Sequence, residues 1–333
     1  MSLRFNGARC ILATWLMVIC GALCVPVRAT ANEAPAALPL TADASQLARQ
    51  GYSLRQIGTG LYWLTDGAYS TAFLVSSAGV IAIDPLPTLG SKYLQAVASV
   101  TDRPITYIVY SHAHADHIAA ASLFPKTAVI VAQQETAAEL ARWKDPRRPL
   151  PTETFTTSKT LRVGDQTLQL DYRGVNHEVG NIFIYAPKQR VLMLVDVVYP
   201  GYAPYPDLGI ASDVSGYIQA HRDALNYRFD YLIGGHVDRL GTPRDVRDSL
   251  EFVTDLRTVS GRLLAELPFP AYLKTVPAGN RWFQHDDYES ALIDRCYAQL
   301  LPRWKERLSG LGRSLRSHCR TMIVAQVVVS DAH

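Results

Sequence analysis

Little in this chain points to an extended or repetitive protein. Only 19% of its 333 residues are charged while 48% are hydrophobic, and no low-complexity tract or internal repeat is visible, which excludes extended disorder and fibrous or repeat architectures. Basic excess is scarce too. The formal net charge of +3 is matched by Arg4, Arg9 and Arg28, all within the first 31 residues, which contain no acid. Without that segment the chain is close to neutral, and no basic patch indicates nucleic-acid recognition. Cysteine is sparse: Cys10, Cys20 and Cys24 lie near the start, Cys296 and Cys319 near the end. Neither Cys296 nor Cys319 has metal-site spacing. No long uninterrupted apolar run occurs either. The stretch over residues 11–27 is broken by Gly21 and Pro26 and falls short of the ~20 apolar residues of a spanning helix.

What is there at the start reads as an address. A basic beginning, the apolar stretch and Ala29-Thr30-Ala31 follow the order of a cleavable export signal. We therefore expect residues 1–31 to be a signal peptide, the mature chain to begin near Asn32, and the protein to be periplasmic or secreted with no stable membrane insertion. In an oxidising compartment Cys296 and Cys319 are a pairable number and would tie a C-terminal helix to the tail; two separate buried thiols are the alternative.

The length allows one large or two modest domains. Residues 32–50 are Ala-rich and polar and read as a flexible lead-in. Apolar runs at 61–64, 71–75 and 80–83 are separated by Asp66-Gly67 and Ser77-Ala78-Gly79, the punctuation of successive hairpin strands. Helices are expected over 89–100 and 133–143, and strands over 105–110 and 127–131. A second series of strands is expected at 160–163, 168–172, 182–186 and 191–195. Asp213 is placed to cap a helix running to about Tyr227, a strand follows at 231–233, and Thr242-Pro243 with Asp245 opens another helix. Helix-like stretches over 243–267 and 285–308 carry no obvious catalytic motif. Two strand-rich halves with helices outside make an α/β (α+β) protein, an αββα four-layer sandwich with polar loops at one edge.

The decisive stretch is Ser111-His112-Ala113-His114-Ala115-Asp116-His117, directly after the buried strand at 105–110. His112 and His114 are two apart and point to the same side of an extended segment. The turn at Ala115 returns Asp116 and His117 towards them. Three imidazoles and a carboxylate are a ligand set that zinc takes. Further candidates stand at the ends of later strands: His177 in Gly174-Val175-Asn176-His177-Glu178, Asp196 after 191–195, and His236 after 231–235.

In this order the chain resembles the metallo-β-lactamase fold hydrolases over roughly residues 58–240. Their signature is a strand-terminal Asp, His-x-His-x-Asp-His, a later His, a bridging Asp and a final His. The resemblance implies a metallo-β-lactamase domain over residues 51–242 with a C-terminal helical extension over 243–333. It implies two zinc ions per chain, one on His112, His114 and His177, the other on Asp116, His117 and His236, with Asp196 between them. Asp84 matches the first Asp, which supports the site without binding metal. A hydroxide shared by the metals would attack a carbonyl, and Asp116 or Asp196 would relay the proton to the leaving group.

The departures bear on substrate. Ile118-Ala119 stands where relatives often carry Gly-Gly, Asn176 and Glu178 flank the third His, and Val195 precedes the bridging Asp. Relatives that open β-lactams generally have Cys or Ser at the bridging position, so Asp196 points to an ester, lactone, thioester or amide of a small, moderately apolar molecule. Tyr199, Tyr202 and Tyr205 lie on a proline-stiffened loop leaving the Asp196 strand and read as substrate contacts; an edge-covering role is the alternative. His221 reads as a surface or packing residue and Arg147-Arg148 as a solvated loop. The competing functions are a mononuclear iron persulfide dioxygenase-like enzyme and a non-enzymatic zinc-binding envelope protein. The sequence does not specify oligomeric state.

Overall fold

The computed structural model describes residues 40–329; the leader assigned to residues 1–31 lies outside them. Helix α1 (Ala44–Gln50) precedes a seven-stranded sheet of β1 (Ser53–Gly58), β2 (Leu61–Thr65), β3 (Ser70–Ser76), β4 (Gly79–Ile83), β5 (Ile105–Val109), β6 (Val129–Gln133) and β7 (Glu153–Phe155), in that order. Up to β4 the neighbours are antiparallel hairpins. From β4 to β7 they are parallel, and parallel neighbours need a crossover. The crossovers carry α2 (Ser91–Ala98), α3 (Ala115–Ile118) and α4 (Gln134–Trp143).

A five-stranded sheet follows, built of β8 (Ser158–Val163), β9 (Gln166–Asp171), β10 (Phe183–Ala186), β11 (Val191–Met193) and β12 (Tyr231–Ile233). Its strands are antiparallel except for the β11–β12 pair. The crossover between those two holds α5 (Pro206–Ile210), a left-handed single turn, and α6 (Val214–Ala224). Among the described residues four α-helices follow, α7 (Pro243–Glu266), α8 (Phe269–Tyr272), α9 (Arg281–Trp304) and α10 (Leu311–Val324), the last running on into a π-helical turn at Ala325–Val329.

The layers follow from the two-residue period of strands. Leu74, Ile81 and Ile83 face the other sheet and meet Leu168, Leu170, Ile184, Met193 and Ile233. Their neighbours Phe73, Val80 and Ala82 face outward onto Tyr93, Ala96 and Val97 of α2 and Leu140 of α4. In the second sheet Phe183, Tyr185 and Leu192 turn outward onto α6, α7, α9 and α10. The result is an αββα sandwich with a helical extension on the second sheet. Each fully buried side chain of the size of Phe73 or Leu74 contributes about 1.5–3 kcal/mol.

The expected caps are present. Asp213 accepts the Ser215 N–H at 2.9 Å, and the Asp245 carboxylate accepts the Thr242 N–H at 2.8 Å. Two expectations need correction, that residues 44–50 are flexible and that Arg148 is solvated; the helical extension and the Cys296–Cys319 pair are as expected. Residues 44–50, read as flexible, form α1, because Asp43 accepts the N–H groups of Ser45 and Gln46 and Gly51 closes the far end in a left-handed conformation. The tail is helical: Leu311, Leu315, Cys319 and Met322 form a buried stripe on α10, and Cys296 is disulfide-bonded to Cys319 across α9 and α10. Arg148 is buried and donates to the Ala113 carbonyl at 2.6 Å, so that only Arg147 of the pair is solvated. Among the described residues no helix is long and apolar enough to cross a membrane.

Candidate metal centre

Four chain segments converge at one edge of the sandwich. The first leaves β5 at Ser111. Its N–H donates to Asp84 Oδ1 at 2.7 Å, and Asp84 itself, just past β4, adopts φ 37. Asp84 is thus a clamp on the histidine-bearing loop, while its Oδ2 is buried without a hydrogen-bond partner. Burial pushes its pKa up to about 6, against the opposite pull of His117 and the Ser111 N–H. After His114 the chain enters α3, whose single turn brings the His117 ring back to 5.0 Å from that of His112, centroid to centroid.

His177 comes from the loop between β9 and β10. Asn176, which stands out as a departure in sequence, builds that loop: its Oδ1 accepts the His177 N–H at 2.7 Å and the Asn181 side-chain amide at 2.8 Å. Asp196 follows β11 at φ 64, a left-handed conformation that Asp tolerates better than most side chains. His236 follows β12 and Gly235. A Cβ on Gly235, whose φ is 84, would lie 2.6 Å from Val195 Cγ1 and 3.2 Å from His117 Cε1. Glycine is what lets the last imidazole approach.

The side chains fall into two groups able to hold a metal ion, His112, His114, His177 and Asp196 in one, Asp116, His117 and His236 in the other. Asp196 touches both. Its Oδ2 lies 3.1 Å from His117 Nε2, 3.2 Å from His177 Nε2 and 3.5 Å from His112 Nε2, and its Oδ1 lies 2.8 Å from His236 Nε2. Yet His112 Nε2, His117 Nε2 and Asp196 Oδ1 are buried with no hydrogen-bond partner. Buried polar atoms rarely stay unpaired, and a set of imidazole nitrogens and carboxylate oxygens aimed at common points is a site that a cation completes.

The far nitrogens are oriented from outside. His112 Nδ1 meets Ser111 Oγ at 2.9 Å, His177 Nδ1 donates to the Gly209 carbonyl at 2.7 Å, and His114 Nε2 meets Glu178 at 3.1 Å. Such partners fix ring orientation in metal-binding histidines. Electrostatics agree. Burial and the imidazoles of His114, His117 and His177 hold His112 well below the usual histidine range. Burial works against the charge of Asp196, but His117 and His177 hold it well below the usual carboxylate range.

A cavity of about 420 Å³ opens over the cluster, lined by His114, Asp116, His177, Asp196, His236, Tyr69, Tyr199, Tyr205, Gly209 and Ile210. Tyr199 is buried and stacks on His236, with ring centroids 5.6 Å apart. Tyr205 is 62% exposed at the mouth. Tyr202 does not line this cavity; it lines an adjacent groove of about 390 Å³ that also contains Tyr199, Tyr205 and His236. Tyr69 is a wall residue that sequence reasoning missed. Its ring lies 4.5 Å from that of His236, and the only sign of it in sequence is the hairpin turn at Asp66-Gly67. Glu178, noticed only as a departure, is the partner of His114. His221 sits apart, wholly buried, its Nδ1 donating to the Tyr217 carbonyl and its Nε2 facing Ser249 Oγ, each at 2.8 Å. It is a packing residue, not a surface one.

Residues 65–236 match the metallo-beta-lactamase superfamily. The chain belongs to that family. Within this superfamily it is 31% identical over 189 residues to the 2,4-dinitroanisole O-demethylase subunit alpha of Nocardioides sp. (strain JS1661), a match covering 54% of this chain and 56% of that protein. It is 25% identical over 183 residues to the metallo-beta-lactamase type 2 of Elizabethkingia meningoseptica, covering 52% and 71%. The chain thus spans little more than half of the first relative. Its fold is similar to that of a metallo-beta-lactamase from Pontibacter korlensis, with a TM-score of 0.54, 18% identity, and coverage of 61% of this chain and 99% of that one. The metallo-beta-lactamase IND-7 gives a TM-score of 0.52, 22% identity, and coverage of 61% and 98%.

Proposed function

We propose that this superfamily member is an exported dinuclear zinc hydrolase that cleaves an ester, lactone, thioester or amide bond of a small, moderately apolar substrate. The observation that carries the reading is Asp196, one carboxylate within 3.5 Å of imidazoles from both ligand groups. A closed structural zinc site needs four ligands and no shared carboxylate. His112, His114 and His177 would hold one ion, Asp116, His117 and His236 the other, and Asp196 both. When bound, a zinc pair supplies acidified water and Lewis-acid polarisation of the scissile carbonyl.

The chain's own groups do the rest. Asp116 is the more open of the two carboxylates and faces the cavity, where it can take a proton from the attacking water and hand it to the leaving group. Tyr199 and Tyr205 present rings and hydroxyls along the wall, a surface suited to an acyl chain or an aromatic ring. Asp in place of Cys or Ser at the bridging position supports a substrate other than a β-lactam. Export is supported by the leader-like start and by the α9–α10 disulfide, which oxidising compartments favour.

A second reading is cleavage of an aryl methyl ether, the reaction in the name of the Nocardioides relative. The tyrosine wall favours it. One experiment decides among these. The metal content of the chain as purified is measured, the chain is then loaded with zinc, and turnover is followed on lactones, thioesters, phosphodiesters, β-lactams and nitroaryl methyl ethers. About two zinc ions and hydrolysis of a carbonyl substrate support the proposal. One iron, or one tightly closed zinc with no turnover, overturns it.

A further inference from the structure

The segment matching the superfamily ends at His236, and α7 to α10 lie beyond it. One of these helices reaches back to the metal centre. In α5, four consecutive residues, Asp207, Leu208, Gly209 and Ile210, have φ of 58, 57, 67 and 52. This is the left-handed region that L-residues avoid, and three of the four carry a Cβ. Such a turn persists only when its surroundings hold it.

Helix α10 does the holding. The Asp207 N–H donates to Ser317 Oγ at 2.9 Å, the Leu208 N–H donates to His318 Nδ1 at 3.1 Å, and the Thr321 hydroxyl donates to Asp207 Oδ1 at 3.0 Å. On the other side of the same turn, the Gly209 carbonyl accepts the Nδ1–H of His177 at 2.7 Å. The turn also fits closely over the site, because a Cβ on Gly209 would lie 2.9 Å from Tyr199 Oη and 3.1 Å from the Asp196 carbonyl. His318 is wholly buried. Burial pushes its pKa down to about 4, so its ring is neutral at ordinary pH and Nδ1 keeps the lone pair that accepts from Leu208. The next residue, Cys319, ties α10 to α9 through the disulfide with Cys296.

We infer that His318 is a positioning residue for the metal centre: through the backbone running from the Leu208 N–H to the Gly209 carbonyl it fixes the partner of His177 Nδ1, and hence the plane of that ring. The helical extension is then part of the metal site as well as a cover for the second sheet. This inference rests on His177 being a metal ligand. If α10 only covers the sheet, losing the His318 acceptor lowers stability and leaves metal affinity unchanged.

The test uses the full mature chain with His318→Leu, which removes the acceptor, and His318→Asn, which keeps one where Nδ1 stands. Zinc affinity is measured by chelator competition, the ligand field by the visible absorption of cobalt-loaded protein, and folding by circular dichroism. We expect His318→Leu to bind one of its ions roughly tenfold more weakly, within the range seen when a ligand's supporting partner is lost. Its cobalt spectrum should change, and His318→Asn should restore most of both. If His318→Leu does not fold, the double variant Ser317→Ala and Thr321→Val removes two other holds on the turn, and the same losses are expected. A folded variant with wild-type affinity and spectrum overturns the inference alone, as does equal impairment by Leu and Asn. A wild-type chain that takes up no metal overturns the metal reading and this inference with it.

Discussion

Asp196 Oδ1 lies 2.8 Å from His236 Nε2 while Oδ2 of the same carboxylate lies 3.1 Å from His117 Nε2 and 3.2 Å from His177 Nε2. One buried acid therefore sits between imidazoles brought by three different chain segments. Asp196→Asn keeps the shape and removes the charge that would offset two dications. Its backbone is held independently, since the Asp196 N–H donates to the Gly234 carbonyl at 3.0 Å. We expect the variant to stay folded, to lose or loosen one zinc, and to lose most of its turnover. Metal analysis beside thermal unfolding checks this; full zinc content with near-normal turnover shows that Asp196 does not bridge.

Gly235 tests the same edge by shape. A methyl group there meets Val195 Cγ1 at 2.6 Å and His117 Cε1 at 3.2 Å, at a φ of 84 that alanine disfavours. Gly235→Ala should displace His117 and His236 together, so zinc bound by that group falls while the group around His112 is kept. One zinc per chain by metal analysis is the expected result. Two tightly held ions show that the β12 end has more slack than its contacts imply.

Two buried histidines away from the metal cluster set an acid limit on stability. Burial pushes both His221 and His318 down to about 4. Between pH 6.5 and 4 the unfolded chain takes up a proton on each and the folded chain does not, so stability rises with pH across that window and falls on acidification. Above 6.5 neither contributes a slope. Each shift corresponds to about 3 kcal/mol when fully expressed. His221→Gln, which keeps a donor for the Tyr217 carbonyl, should flatten the fall in the urea midpoint between pH 7 and pH 5. An unchanged slope means that His221 is not a source of it.

Much of this architecture was legible because it depends on local pattern. The alternation at 80–83 sends Val80 and Ala82 one way and Ile81 and Ile83 the other, and the cap signals of Asp213 and Thr242-Pro243 locate α6 and α7. Of the seven polar residues at the site, four could be picked out because they cluster directly after the buried strand β5, and the other three because they follow later apolar strands. Other features depend on contacts distant in sequence. Tyr69 reaches the cavity only because the hairpin tip pairs with His236. Arg148 looks like a surface residue until the Ala113 carbonyl takes its guanidinium. The left-handed turn at 207–210 is unreadable in isolation, since Asp, Leu and Ile do not signal it; Ser317, His318 and Thr321, about 110 residues later, hold it.

The tyrosine loop gives the last test, because its members occupy different places. Tyr205 lines both the metal cavity and the adjacent groove, Tyr202 lines only the groove, and both are exposed enough that truncation leaves the core intact. An aromatic wall that binds substrate and transition state alike raises KM when removed and leaves kcat nearly unchanged. For a ring that becomes partly buried by the ligand the loss is about 1–2 kcal/mol, or roughly 5- to 30-fold in kcat/KM. We therefore expect Tyr205→Ala to raise KM by that order on whichever substrate the panel identifies. Tyr202→Ala should have a smaller effect that appears only with substrates long enough to enter the groove. Steady-state kinetics on a short and a long homologue separate the two positions. Equal KM values for wild type and Tyr205→Ala on both homologues would place the substrate on another wall, with Tyr69 the next residue to replace.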